Sequence, residues 1–181
     1  LTRLFLIASV ALALAPPASS CGSERWPVKT LTEPDAGSVD FSHPHRATVA
    51  ALGALPVQAG GQDSRSLTER RVYSVGATLL KAKREEDGDY HLVLRDGRAS
   101  MIAESPDSAC TRGAQHRFAM FRARRKLDAV LGQLNSHWRY VGLRVRIVGV
   151  LFFDRPHGQR GHAPNYAELH PITALSFKPV R

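Results

Sequence analysis

The dipeptide Asp96-Gly97 stands between two short runs of alternating polarity, Tyr90 to Leu94 and Ala99 to Glu104. That arrangement is the strongest short-range signal for a tight β-hairpin. A lone hairpin is not stable in water, so this one commits the chain to a larger sheet with one face buried. With Asp96 and Gly97 as the central turn residues, Arg95 pairs with Arg98, Val93 with Ser100, His91 with Ile102 and Asp89 with Glu104. Period-two alternation then sorts the side chains. Tyr90, Leu92, Leu94, Ala99, Met101 and Ala103 form the core face. Asp89, His91, Val93, Arg95, Arg98, Ser100, Ile102 and Glu104 form the other.

Further elements flank the hairpin. Residues 71–82 are rich in β-branched and aromatic side chains and read as a strand. Residues 115–135 read as a helix, with Phe118, Phe121, Leu127, Val130, Leu131 and Leu134 at helical spacing. Arg117, Arg122, Arg124, Arg125 and Lys126 decorate its other side as a solvated basic face. Residues 143–153 alternate and then turn uniformly apolar, as a strand entering a core does. Residues 168–177 read as a last strand, with Pro171 at an edge or bulge. The chain is therefore expected to be mainly β with one helix. The order β-β-β-α-β-β predicts an OB-fold-like five-stranded Greek-key barrel, which binds ligands on its second and third strands and in two flanking loops.

The domain from 70 to 181 follows two other segments. Residues 1–20 read as a signal peptide: Arg3, an apolar run from Leu4 to Ala15, then Pro16-Pro17 and small residues. Residues 21–69 read as an irregular N-terminal segment and linker, with His43 and His45 in a solvated loop. The expected location is the bacterial periplasm, the cell envelope or the medium. Cys21 directly follows the cleavage region, so it is either lipidated or paired with Cys110 in an oxidising compartment. Lipidated Cys21 would be the sole membrane attachment, since no other stretch is long enough to cross a bilayer. Hydrophobic content of 43% and charged content of 23% exclude wholesale disorder. The formal net charge of +9 favours an anionic polymer or a glycan as partner.

Two features carry the candidate chemistry. Asp89 opposite Glu104 is an electrostatic conflict, which a proton, a cation or His91 would relieve. The second feature is the loop 157–171, HGQRGHAPNYAELHP, which faces the same surface in an OB arrangement. It offers His157, Gln159, Arg160 and Asn165 to a ligand, with Gly158 and Gly161 permitting close backbone approach. Glu168 and His170 lie two apart on a strand and point to one side. Ligand-binding candidates are thus Asp89, His91, Arg98, Glu104, His157, Gln159, Arg160, Asn165, Glu168 and His170. Asp89, His91, Glu104 and His157 could hold a divalent metal. No standard zinc spacing, Ser/His/Asp or Cys/His pattern, or phosphate-cradling glycine motif is present. Two functions compete: an exported binding module for an anionic or sugar-containing ligand, and a metal-dependent hydrolase such as a nuclease.

The segments DGDYHLVLRDGRASMIAESPDSAC (87–110) and VRIVGVLFFDRPHGQRGHAPNYAELHPI (145–172) resemble a group of uncharacterised bacterial exported proteins. Their pattern is DYHLVL, then MIAE-x-P, then GVGFFD-x-x-HGQ-x-G-x-APN-x-x-ELHP. ERWPVKT (24–30) resembles their N-terminal part, so the likeness covers most of the chain after residue 20. Leu151 departs from the pattern, and His162 falls at a variable position. The resemblance implies one exported unit and no particular reaction. A looser similarity links the chain to staphylococcal-nuclease-like domains, which share an OB core and use acidic residues, calcium and arginines on a phosphodiester. Asp89, Glu104 and Arg98 are residues of those types, with no residue-by-residue match.

Overall fold

A computed structural model describes residues 21–177. The signal-peptide reading of residues 1–20 lies outside the described residues. Six strands form one sheet: β1 (Asp40–Ala47), β2 (Arg71–Arg84), β3 (Tyr90–Asp96), β4 (Ala99–Ser105), β5 (Arg139–Phe153) and β6 (Ala167–Phe177). There are three described α-helices: α1 (Trp26–Thr30), α2 (Val49–Gly53) and α3 (Arg117–Leu131). Only α3 is longer than five residues. No described helix is long and apolar enough to cross a membrane.

The sheet order is β1-β2-β3-β4-β6-β5, and β2 also pairs with β5. Each strand from β2 to β6 therefore has two partners within that set. The β4–β6 pairing is parallel and places Ile102 beside Glu168. β5 and β6 are antiparallel, with Phe152 opposite Glu168. The main core lies on one face and includes Tyr90, Leu92, Leu94, Met101 and Ala103, the predicted core side of the hairpin.

Three expectations are corrected. First, the described residues form six strands, because the Pro-broken segment around His43 and His45 forms β1, parallel to the start of β2. A Pro such as Pro44 fits a strand that has a partner on one side only. Second, the hairpin turn is Gly97-Arg98, with Asp96 opposite Ala99. Gly97 has φ +60°, the left-handed conformation such a turn demands. The pairs are therefore His91 with Glu104, Val93 with Ile102 and Arg95 with Ser100. The shift is two residues, so every side chain keeps its predicted face.

Third, α3 buries a different stripe. Met120, Ala123, Arg124, Leu127 and Leu131 face inward, whereas Phe118, Phe121 and Val130 are exposed. At 3.6 residues per turn, Phe118 lies about 180° around the helix from Leu127. Arg124 is thus no part of a solvated basic face. Its guanidinium lies over the Tyr90 ring and donates to the carbonyls of Ser105 (2.7 Å) and Gly88 (2.9 Å).

The segment before β2 is fastened to the sheet by charge. Arg25 and Glu69 form a buried ion pair at 2.7 Å. Arg25 also donates to the Phe153 carbonyl, and Glu69 accepts from the Phe153 amide. Arg65 pairs with Glu33, both buried. Cys21 and Cys110 form a disulfide with Cα atoms 5.7 Å apart. That bond uses the sulfur to which a lipid would attach.

Candidate functional site

The non-core face of β3, β4 and β6 gathers five of the predicted residues. His91 stands opposite Glu104 across the hairpin, and the parallel β4–β6 register brings Glu168 and His170 alongside. Asp89 immediately precedes β3. Asp89, Glu168 and His170 are fully buried, and His91 and Glu104 nearly so. His91 Nδ1 lies 2.7 Å from Glu104 Oε1. His170 Nδ1 lies 3.2 Å from Glu104 Oε2, and its Nε2 lies 3.4 Å from Asp89 Oδ2.

These are close charge contacts, in which both imidazoles approach Glu104 and His170 also approaches Asp89. Glu168 differs: both of its oxygens, like His91 Nε2, are buried without a hydrogen-bond partner. Buried polar groups are ordinarily satisfied, because an unmade bond costs about 1–3 kcal/mol each. A buried cluster of ionisable side chains in mutual contact shifts the charge of each member and suits a metal ion.

The electrostatics agree. Burial pushes the Asp89 carboxyl up to about 6, although His170 pulls against the rise. Burial also lifts Glu168 well above the carboxylate range, and the charges of Glu104 and Asp154 add to the rise. Burial opposes ionisation of Glu104 too, but His170 and His91 outweigh it and hold Glu104 well below the ordinary value. Burial disfavours the His170 cation, yet Asp89 and Glu104 raise it above the usual imidazole value.

Asp89, Glu104 and His170 each offer a ligand atom within 4.8 Å of the others. Two ligands on opposite sides of one ion, with bonds of roughly 2.1 Å, stand about 4.2 Å apart. Imidazole with carboxylates suits a first-row divalent ion such as Zn²⁺ or Mn²⁺.

A cleft of about 640 Å³ opens onto Glu104. Trp26, Lys29, Lys83, Glu85, His157 and Gln159 are among its walls. His157 and Gln159 thus flank the cleft as the loop reading expected. His157, however, does not join the metal-competent group. Its ring is 43% exposed, near the Arg155 carbonyl (2.6 Å) and Asp154 Oδ2 (3.4 Å). His170 takes the place proposed for it, because alternation along β6 aims His170 and Glu168 at the same face.

Other predicted residues do different work. Asn165 ties the loop to α2: its amide donates to the Leu52 and Leu55 carbonyls, and its oxygen accepts from the Ala167 amide. Arg160 is exposed. Arg98 lies in the hairpin turn, at the opposite end of β4 from Glu104, beside a separate cavity of about 350 Å³. Gly161 permits close approach, but to Val93 rather than to a ligand. Its φ is +94°, and a Cβ there would sit 2.5 Å from Val93 Cγ1.

Sequence reasoning missed three participants. Asp154 follows β5 directly and is buried, with both oxygens lacking a hydrogen-bond partner. The FFD run that enters the loop was its signal. Glu85, in the β2–β3 loop, lies 3.3 Å from His91 Nδ1. Lys29 reaches in from α1, with Nζ 3.8 Å from Asp154 Oδ1. Burial opposes its charge, but Asp154 and the neighbouring carboxylates outweigh that and raise its pKa. Nothing in the sequence near Lys29 announces this position.

No family model matches the chain, and no curated protein matches it. Among solved structures, a putative aspartyl-tRNA synthetase from Leishmania major Friedlin aligns at 13% identity with a TM-score of 0.45. The alignment covers 77% of this chain and 22% of the synthetase, so the chain spans about a fifth of that protein's length. A likeness at this level carries no argument about fold or function.

Proposed function

We propose that this chain is an exported, OB-fold-like domain that binds a divalent metal and hydrolyses an anionic ester, with phosphodiesters as the substrate class. The observation that carries this reading is the buried Asp89–Glu104–His170 group, whose ligand atoms lie within 4.8 Å of one another beneath a polar cleft that reaches Glu104. A solvated charge cluster would be exposed, whereas this one is buried and includes Glu168, whose two oxygens have no hydrogen-bond partner. The OB reading is supported by the β2–β6 pairings, with α3 between β4 and β5. Export is supported by the Cys21–Cys110 disulfide, since such bonds persist in oxidising compartments.

A bound divalent ion would polarise the ester and lower the pKa of a water. Asp89, Glu104 and His170 would hold such an ion, and His91 would orient Glu104 from the opposite strand. Hydrolysis adds the water oxygen to phosphorus, breaks the phosphorus–oxygen bond to the alcohol and leaves the proton on that alcohol. His157, exposed on the cleft wall, is placed to carry that proton. The test is metal analysis of purified protein together with cleavage of single-stranded DNA and bis(4-nitrophenyl) phosphate, before and after chelation. Metal-dependent cleavage is expected; absence of both metal and cleavage rejects the reading.

A second reading, binding without chemistry, is favoured by one observation. Arg144 stands opposite Thr78 and Arg146 opposite Gly76 across β2 and β5, and Tyr140 of the same strand is exposed. Basic and aromatic side chains along one strand suit a polyanion. Salt-sensitive DNA or glycan binding that ignores chelation and leaves the ligand intact would select this alternative.

A further inference from the structure

We infer that Lys29 is the oxyanion anchor of the cleft: its ammonium, held next to the metal group, binds a phosphate-type oxygen of the substrate. This rests on the metal-hydrolase reading and adds to it the group that recognises the substrate's charge.

The geometry singles out this lysine. α1 is only five residues long, and Lys29 lies in its last turn. The side chain crosses the face of Phe152, with Nζ 5.3 Å from the ring centroid, and is 12% exposed. It therefore has little freedom left to lose on binding. Its ammonium forms part of the cleft wall with Glu104 and His157. The nearest carboxylate oxygen, on Asp154, is 3.8 Å away, beyond hydrogen-bond reach. Among the described residues, Lys29 Nζ donates no hydrogen bond, so its three donors remain available to the cleft.

A lysine placed only to neutralise Asp154 would close to about 2.8 Å and share its protons with that carboxylate. Lys29 instead stands off, where the charges of Asp154, Glu104, Glu168 and Asp89 all act on it. With a cation held by Asp89, Glu104 and His170, Lys29 would supply a second fixed positive charge on the same cleft. Two cations flanking a polar space stabilise an oxyanion that spreads charge over several oxygens. Lys83, the other lysine of the wall, does not serve: it is already paired with Glu85 at 2.9 Å and lies over Trp138.

The position of Lys29 is itself built. The Arg25–Glu69 pair anchors the residues just before α1 to the end of β5. The Cys21–Cys110 bond anchors the start of the same segment. The N-terminal segment thus works as a wall that delivers one cation to the site.

The test is calorimetric titration of inorganic phosphate into the full chain, with and without saturating Mn²⁺, for wild type, Lys29→Met and Lys29→Arg. Circular dichroism and Tm check that each variant folds. The expected result is saturable phosphate binding that weakens at least about 10-fold in Lys29→Met and largely recovers in Lys29→Arg. Mn²⁺ affinity should stay the same or rise in Lys29→Met, because a competing positive charge is gone. Equal phosphate affinity in wild type and Lys29→Met overturns the inference, as does a wild type that binds no phosphate. Lys29-dependent phosphate binding in a protein that takes up no metal would support the anchor while rejecting the metal centre.

Discussion

Glu69 shows how a buried charge is made tolerable by complete pairing. Its oxygens accept from Arg25 and from the amides of Gly60, Ser66 and Phe153. Burial works against its ionisation, but Arg25 and these amides overcome that and hold it below the ordinary carboxyl value of 4.5. A depressed carboxyl pKa contributes stability above the unfolded value and loses it as pH falls through the folded one. Glu69→Gln should therefore cost about 2–4 kcal/mol at neutral pH, since it leaves the Arg25 charge buried without its partner. The gap between wild type and variant should narrow below about pH 4.5, readable by urea unfolding from pH 6 to pH 2. A gap constant with pH would mean that Glu69 does not titrate in its folded environment. Glu168 behaves in the opposite way: it is buried, both oxygens lack a hydrogen-bond partner, and its pKa is pushed well up. That contrast separates a structural ion pair from a binding site within one molecule.

At the scale of elements, α3 acts on the site without touching it. Arg124 donates to the carbonyl of Gly88, next to Asp89, and to that of Ser105, next to Glu104. One guanidinium thus fixes the ends of β3 and β4 where two site carboxylates stand. Arg124→Met keeps the stem against Tyr90 but removes both bonds. It should cost about 2–3 kcal/mol in denaturant unfolding and weaken metal binding by on the order of 10-fold. Unchanged metal affinity in a destabilised variant would confine Arg124 to a structural role. Arg124 also shows where the sequence misleads. A helical period detects apolar residues, yet three of those chosen point to water, and this arginine points inward. Side-chain direction depends on what lies beneath the helix, which local spacing does not record. The hairpin was more legible. Its register was displaced by two residues, and an even displacement preserves both faces. The separation of site from core survived for that reason, while the opposed Asp89–Glu104 pair did not.

At the scale of the whole molecule, the site is closed by parts far apart in sequence. Asp89, His91 and Glu104 were readable from the hairpin, and Glu168 and His170 from alternation along β6. Lys29 and Glu85 were not, because their approach depends on how the N-terminal segment and the β2–β3 loop fold over the sheet. The disulfide closes a span of 89 residues across this assembly. On the chain-entropy model, a loop of that size contributes about 4–5 kcal/mol. Replacing both cysteines by serine should lower stability by up to this amount. It should also weaken phosphate binding more than metal binding, because the bond holds the wall carrying Lys29 directly and reaches the metal group only through Asp107, whose amide donates to Asp89. Equal losses in both would mean that the sheet itself had loosened.

The central claim is that the buried carboxylates and imidazole of Asp89, Glu104 and His170 form a metal centre. Its most direct test is calorimetric titration of Mn²⁺ and Zn²⁺ into chelator-stripped wild type and His170→Ala. The account predicts one saturable site in the wild type, and a loss of affinity in the variant exceeding the roughly 10–100-fold typical of outer-shell changes. No saturable binding in the wild type, or equal affinity in His170→Ala, would contradict it.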